Sequence, residues 1–425
     1  VSALSIIARV AGGAGDAQPP RARAGVIETA HGPLHTPAFV PLATKATVRG
    51  LSAAEVSALG FEIVLGNTFH LFLNPGHDLI ASLGGLHRFM RWDGPIITDS
   101  GGFQVFSMGH GTVADEIKGR SQGAPAADEA ATRGAILAID EQGVRFRSYY
   151  DGQERALTPE ISMAVQAALG SDIALVFDEC TPFHVSRDYT ARSTERTHRW
   201  LARCLDWHAA TGPRQQLVYG IVQGGVYEDL RLQAAAVVAA SGCDGIAIGG
   251  SLGREKAQMY EVVDWTTREL DRIAPERPRH LLGIGDVDDL IRGVELGVDT
   301  FDCALPTRLG RHGTALVADP EHGWRVSLEK ARWREAKEPI SEACPCPACA
   351  GGYSRAYLHY LVRNRELTGM RLVTLHNLSF VARLMAQLRA AIGAGTLAET
   401  AAALRGGAEP AVPTAYSRRP AGSAR

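Results

Sequence analysis

Three aspartates, an asparagine and a glutamine stand where short apolar runs give out. "FEIVLG" runs into Asn67, "PIITD" ends on Asp99 and "IALVFD" ends on Asp178. "LVYGIV" runs into Gln223, and "TFDCAL" carries Asp302 in its middle. A carboxylate inside an apolar run is costly to bury without a partner, so it neutralises, pairs or does chemistry. Two carboxylates, Asp99 and Asp302, could divide the acid/base and nucleophilic roles of a retaining glycosyl transfer. Asp178 can accept two hydrogen bonds from an N–H/NH2 edge, while Gln223 and the backbone N–H of Gly250 can donate to a carbonyl oxygen. "DSGGFQ" places Asp99 before Gly101 and Gly102, where backbone N–H groups can approach a ligand closely, and puts Phe103 where a ring could stack on a base. The set is compatible with a purine and does not single out a substrate.

A second group has metal-ligand spacing. "CPCPAC" gives Cys344, Cys346 and Cys349, a C-x-C-x2-C pattern, and His376 follows in "TLHNLSF". Three thiolates and one imidazole make a closed tetrahedral zinc site, structural rather than catalytic. Pro345 and Pro347 suit a rigid knuckle. Cys204 and Cys243 read as small core or helix residues, and Cys303 as packing in a strand wall. Seven cysteines, three of them crowded into one knuckle, point to metal in a reducing compartment rather than to a disulfide framework.

The elements that must position these residues follow from the apolar pattern. Eight strand candidates ("TPAFVP", "FEIVLG", "PIITD", "IALVFD", "LVYGIV", "GIAIGG", "HLLGIG" and "TFDCAL") alternate with helical stretches such as "TPEISMAVQAALG" and "DVDDLIRGVELG". Continuous apolar runs suit parallel strands covered on both faces. Eight such units predict a (β/α)8 barrel, with a doubly wound sheet as the alternative. In a barrel the polar strand ends converge on the C-terminal face, where barrel enzymes do their chemistry. Residues 105–157 are too long for a loop and contain a hairpin turning at Glu141-Gln142-Gly143, which predicts an insertion between strands three and four. The expected organisation is a catalytic barrel over 1–312, a zinc-binding subdomain packed on the barrel over 313–393, and a flexible tail over 394–425. Residues 11–22 read as loop.

Composition narrows the class. The chain has 425 residues and a formal net charge of -2, so a nucleic-acid surface must be a local patch. Residues 305–371 carry eleven Lys or Arg against seven Asp or Glu, with Trp324, Trp333, Tyr353, Tyr357 and Tyr360 among them. That excess could track a phosphate backbone. No apolar run approaches the roughly 20 residues of a membrane span, and the first residues do not read as a signal peptide. The expected location is the cytoplasm.

From about residue 6 to about residue 388 the chain resembles bacterial-type tRNA-guanine transglycosylases. The specific elements are "LGNTFHL", "ITDSGGFQVFS", "FDEC", "GIVQGG", "AIGG", "TFDCALPTR" and the Cys3His pattern. The resemblance implies exchange of guanine at the first anticodon position of certain tRNAs for 7-aminomethyl-7-deazaguanine, a queuosine precursor. It implies Asp302 as nucleophile on the ribose C1′ and Asp99 as general acid/base. Asp178, Gln223 and Gly250 would read the base edge. Phe103 and Leu282 would cover its faces, and Asn67 would orient Asp302. Ser251 and Glu255 would accept an aminomethyl group, and Arg308 and Arg311 would hold anticodon phosphates. A structural zinc and a homodimer using the zinc region are also implied; no redox cofactor is. The chain departs from the family at "GGSLGREK", where Gly253 replaces a valine, a feature of queuine-using relatives, and at "HLLGIGDVDD". Two competing readings are a non-catalytic RNA-binding subunit, which should lack Asp99 or Asp302, and a metal-dependent barrel hydrolase, which needs histidines at several strand ends. His70 reads as a supporting or packing residue.

Overall fold

The eight expected strands all form, and all but the fifth, Leu217–Val222, are shorter than the apolar run that predicts them. The structure is a computed structural model that describes residues 4–9, 21–109 and 136–411. Strands Val64–Gly66, Ile96–Thr98, Ile173–Leu175, Leu217–Val222, Gly245–Ile248, Arg279–Leu281 and Thr300–Asp302 pair in parallel. The first strand is divided at Pro41, which has no N–H to give to a ladder. Its first part, Ala38–Val40, pairs with Thr300–Asp302, and its second, Leu42–Ala43, pairs with Val64–Gly66. The two ends of the sheet are therefore one strand, and the sheet closes into the (β/α)8 barrel. The three-residue strands are buried throughout, as expected for a wall packed inside and out.

The connecting helices are capped by local sequence. Pro159–Leu169 starts from Thr158, whose hydroxyl accepts the Ile161 N–H, has Pro159 in its first turn, and stops at left-handed Gly170. Val287–Glu295 starts from Asp286, carries Asp288 and Asp289 against the helix dipole, and ends before Gly297. Arg187–Thr211, Glu228–Ala240 and Lys256–Ile273 complete the outer layer beside strands four to six.

The insertion is a three-stranded antiparallel sheet, Ile136–Ile139, Val144–Arg147 and Glu154–Leu157, with the middle segment central. Its first turn spans Asp140 to Gly143, where Asp140 accepts the Gln142 N–H at 2.8 Å. The rest of the expected insertion, 110–135, and most of the expected loop at 11–22 lie outside the described residues. A second antiparallel sheet, Leu4–Arg9, Arg23–Thr29 and Gly32–Thr36, precedes the barrel and was not anticipated.

The C-terminal region packs on the barrel, and one expected boundary changes. The long helix Leu367–Ala394 carries His376 of the zinc cluster and also packs on the barrel: Arg389 donates to His35 O and Pro37 O, at 3.1 and 2.6 Å. Its apolar residues belong to the same core as barrel residues Phe39 and Phe301, so 312/313 is no break in packing. The region expected to be a tail from 394 instead continues into helix Leu397–Arg405. That helix buries Leu397, Ala401 and Leu404, and Arg405 pairs with Glu295 at 2.8 Å. The stripe is one leucine at each end with alanines between, too weak in hydrophobicity to stand out in an Ala/Gly-rich stretch. Residues 412–425 lie outside the described residues.

Candidate active site

All eight strands contribute to one cavity of about 680 Å³, lined by Asn67, Asp99, Phe103, Asp178, Gly250, Leu282, Asp302 and Arg308 among others. Gln223 supports its wall through Asp178. Ser251 and Arg311 lie beside the cavity rather than among the residues lining it.

Asp99 is half-buried in a ring of donors. The Thr68 N–H reaches one carboxylate oxygen at 2.8 Å, and the Gln104 amide reaches the other at 3.0 Å, joined there by the Asn67 amide. Burial dominates these donors and pushes Asp99 up to about 7, with Asp302 adding like charge. A carboxyl poised near neutrality suits proton transfer in both directions. Asn67 therefore serves Asp99, not Asp302 as expected. Its strand is hydrogen-bonded to the Asp99 strand, and its own oxygen caps helix Thr68–Leu73 by accepting the His70 N–H at 2.9 Å. That leaves its amide aimed at the adjacent strand end. The His70 ring contacts the Tyr149 hydroxyl at 2.8 Å and lines the cavity.

Asp302 sits at the end of the eighth strand and is 7% exposed. The Gly283 N–H donates to its Oδ1 at 3.1 Å, and His280 Nε2 lies 3.2 Å from the same oxygen without hydrogen-bond alignment.

Asp178 is fully buried and pushed up to about 6 by that burial, against the pull of two donors. Ser100 Oγ donates to Oδ1 at 2.8 Å and Gln223 Nε2 to Oδ2 at 2.6 Å. Each carboxylate oxygen thus keeps an acceptor site for a ligand. Gly250 has φ +76°, and a Cβ there would meet Gln223 Oε1 at 2.1 Å. Backbone conformation and space both require glycine at that position.

Arg231 holds the loops that follow strands five and six and was missed by sequence reasoning. Its guanidinium is fully buried and donates to four carbonyls: Gly225 at 2.7 Å, Val222 at 3.0 Å, Gly249 at 2.8 Å and Ser251 at 2.9 Å. Among the described residues no carboxylate lies within ion-pair distance, and burial lowers its pKa to about 9. The Ser251 carbonyl is thereby turned to Arg231 rather than offered to a ligand. Ser100, Thr68 and Gln104 were also missed as supports, although they fall inside or beside the quoted motifs. Gly253 lines the cavity with φ +110°, and a Cβ there would meet Gln258 Oε1 at 2.6 Å, so this loop conformation requires the departure from valine.

At the rim, Arg311 is pulled down by burial and by the neighbouring charges of Arg49 and Arg308. None of the three has a carboxylate partner among the described residues. Arg49 was not anticipated, because it follows the first strand far away in sequence.

The Cys3His cluster assembles as expected. Cys344, Cys346, Cys349 and His376 are buried, with ligand atoms all within 4.8 Å of one another. His376 Nε2 lies 2.8 Å from the Leu316 carbonyl, which takes the ring N–H and leaves the Nδ1 lone pair facing Cys349 Sγ at 3.3 Å and Cys346 Sγ at 3.7 Å. These separations fit four donors around one tetrahedral ion. A second group, His31, His87 and Asp172, lies before the fourth strand, at the opposite end of the barrel. Its imidazoles stack at 3.5 Å and 17°, and both bear on Asp172, His31 Nδ1 at 2.8 Å and His87 Nε2 at 3.3 Å. Cys204 and Cys243 are buried core residues, as expected. Among the described residues no helix is long and apolar enough to cross a membrane.

Comparison with known proteins agrees with this geometry. Residues 18–407 match the family model described as queuine tRNA-ribosyltransferase. Curated relatives of that name include one from Roseiflexus sp. (strain RS-1), 50% identical over 388 residues, covering 89% of this chain and 94% of the relative. Another, from Pelotomaculum thermopropionicum, is 44% identical over 377 residues, covering 88% and 92%. A third, from Herpetosiphon aurantiacus, is 46% identical over 372 residues, covering 87% and 86%. With a closed barrel, a carboxylate-lined cavity at its C-terminal face and a match across nearly the whole chain, this protein belongs to the queuine tRNA-ribosyltransferase family of pentosyltransferases.

Proposed function

We propose that this enzyme exchanges guanine at the first anticodon position of tRNA for 7-aminomethyl-7-deazaguanine by double displacement. The observation that carries the reading is the pair of unlike carboxylates in one cavity: Asp99, held near neutrality by burial, and Asp302, anchored through one oxygen. In the first displacement an Asp302 oxygen forms a bond to C1′ as the C1′–N9 bond breaks, and the electron pair leaves on guanine, which takes a proton from Asp99. In the second, the incoming base loses its N9 proton to Asp99 and bonds to C1′, and the electron pair of the ester bond returns to Asp302. The glycosidic bond energy is kept in the ester, so no redox cofactor or nucleotide takes part. Asp178, Gln223 and the Gly250 N–H read the base edge, with Phe103 and Leu282 beside its faces. Arg308 and Arg311, with Arg49, hold anticodon phosphates, and the base leaves its stack to enter.

We assign the Cys3His cluster to structural zinc. The exposed Tyr353, Tyr357 and Tyr360 beside it support a homodimer that uses this region. The test is exchange of radiolabelled guanine into unmodified tRNA by wild type and Asp302→Ala, followed by a chase with the aminomethyl base or queuine. Exchange by wild type alone supports the reading, and the chase identifies the inserted base. Binding of tRNA with no exchange would replace the catalytic reading with that of a binding subunit.

A further inference from the structure

His280 is wholly buried in the seventh barrel strand, in register with Thr300 on the eighth. Its Nδ1 lies 2.9 Å from the Thr300 hydroxyl. Its Nε2 has no hydrogen-bond partner among the described residues, yet lies 3.2 Å from Asp302 Oδ1, out of hydrogen-bond alignment. A buried ring nitrogen left without a partner is costly unless the working state of the site supplies one. The two oxygens of Asp302 are also unequal. Oδ1 takes the Gly283 N–H at 3.1 Å and faces His280, whereas Oδ2 accepts no hydrogen bond from a described residue.

Resting on the nucleophile reading above, we propose that His280 is a positioning residue that selects Oδ2 of Asp302 as the attacking oxygen. The Thr300 hydroxyl donates to Nδ1, which fixes the ring as its Nε2–H tautomer and aims that N–H at Oδ1. With Oδ1 held by Nε2–H and by the Gly283 N–H, the carboxylate presents Oδ2 to C1′. In the ester, Oδ2 carries the bond to C1′ and Oδ1 is the carbonyl oxygen. When the second displacement breaks the Oδ2–C1′ bond and returns its electron pair to the carboxylate, negative charge grows on Oδ1 against two fixed donors. Hydrogen bonds of this kind are often poorly aligned in the free enzyme and tighten only on the reaction path.

The test compares His280→Phe, His280→Gln, Thr300→Val and Asp302→Ala with wild type. It measures guanine-exchange kcat, KM for guanine and tRNA, covalent tRNA adduct on denaturing gels, and thermal unfolding. Loss of one preorganised donor predicts a fall in kcat of about 100-fold for His280→Phe, with both KM values within about threefold of wild type. Glutamine places an amide N–H near the position of Nε2, so His280→Gln should recover at least about tenfold of that loss. Thr300→Val releases the tautomer and should lower kcat about tenfold. A kcat within about threefold of wild type in His280→Phe overturns the proposal. So does His280→Gln no better than His280→Phe at equal thermal stability, which would make the histidine a packing residue. If His280→Phe does not fold, wild-type kcat in Thr300→Val overturns it instead. Exchange retained by Asp302→Ala would instead remove the nucleophile reading itself, an outcome the histidine variants cannot mimic.

Discussion

Titration of Asp178 should govern guanine binding on the acid side of neutrality. Its two oxygens each hold one protein donor, Ser100 at 2.8 Å and Gln223 at 2.6 Å, and each keeps one acceptor site for the N–H/NH2 edge of guanine. The bound edge donates twice, so it selects the ionised carboxylate and binding expels the proton. With the free enzyme at about 6, affinity should be flat above about pH 7 and about tenfold weaker at pH 5. The slope of log Kd against pH near 5.5 should correspond to about 0.8 proton released per guanine, the protonated fraction at that pH. Asp178→Asn removes the charge and one of the two acceptors. Charge-assisted hydrogen bonds contribute roughly 1.5–3 kcal/mol each, so losing one should make the variant bind guanine about 10- to 150-fold more weakly, without the acid slope. Equilibrium dialysis of radiolabelled guanine between pH 5 and 8 measures both. Asp99→Asn should keep the slope, which separates Asp178 from the other titrating carboxyl. A wild-type Kd that stays constant from pH 5 to 7 would refute the assignment of Asp178 as the reader of that edge.

Other outcomes follow from the same geometry. Asp99 is raised from 3.8 to about 7, so the folded state binds the extra proton between those values and stability falls as pH rises through that window. The contribution is about 4 kcal/mol, and Asp99→Asn should flatten the pH dependence of urea unfolding by that order while abolishing exchange. Gly250→Ala forces a side chain into left-handed backbone and into Gln223; KM for guanine should rise at least about tenfold in steady-state exchange, with the zinc content unchanged. Replacing Arg49 or Arg311 by Ala should weaken tRNA binding and lower the slope of log K against log salt by about 0.7 for each phosphate no longer neutralised, measured by filter binding. Cys349→Ser should lower bound zinc below one per chain by elemental analysis and reduce thermal stability, since the cluster is buried against the Leu358 and Val373 core.

How far the sequence carried the reading depends on the range of the interaction concerned. Apolar runs of strand length that end in Asp99 and Asp178 or enclose Asp302 set both the barrel and its polar rim, because strand burial and the polar residues in and beside a strand are local properties of the chain. The C-x-C-x2-C knuckle was legible for the same reason, and His376 was read as its fourth ligand because three thiolates and one imidazole complete a tetrahedral set. Pairings between strands were not legible. Asn67 was assigned to Asp302 because both belong to one site, but barrel order puts it beside Asp99. Arg231 and His280 look like ordinary helix and strand residues until the fold surrounds them with carbonyls and with the Asp302 carboxylate. The helix Leu397–Arg405 was missed because alanine carries little signal alone, and only the groove it fills makes its leucines a face. Residue types and their order determined which chemistry this chain can do. The closing of the barrel decided which oxygen faces which donor, since hydrogen-bond partners tens of residues apart, such as Asn67 and Asp99 or Ser100 and Asp178, are fixed by strand order and register and by nothing local.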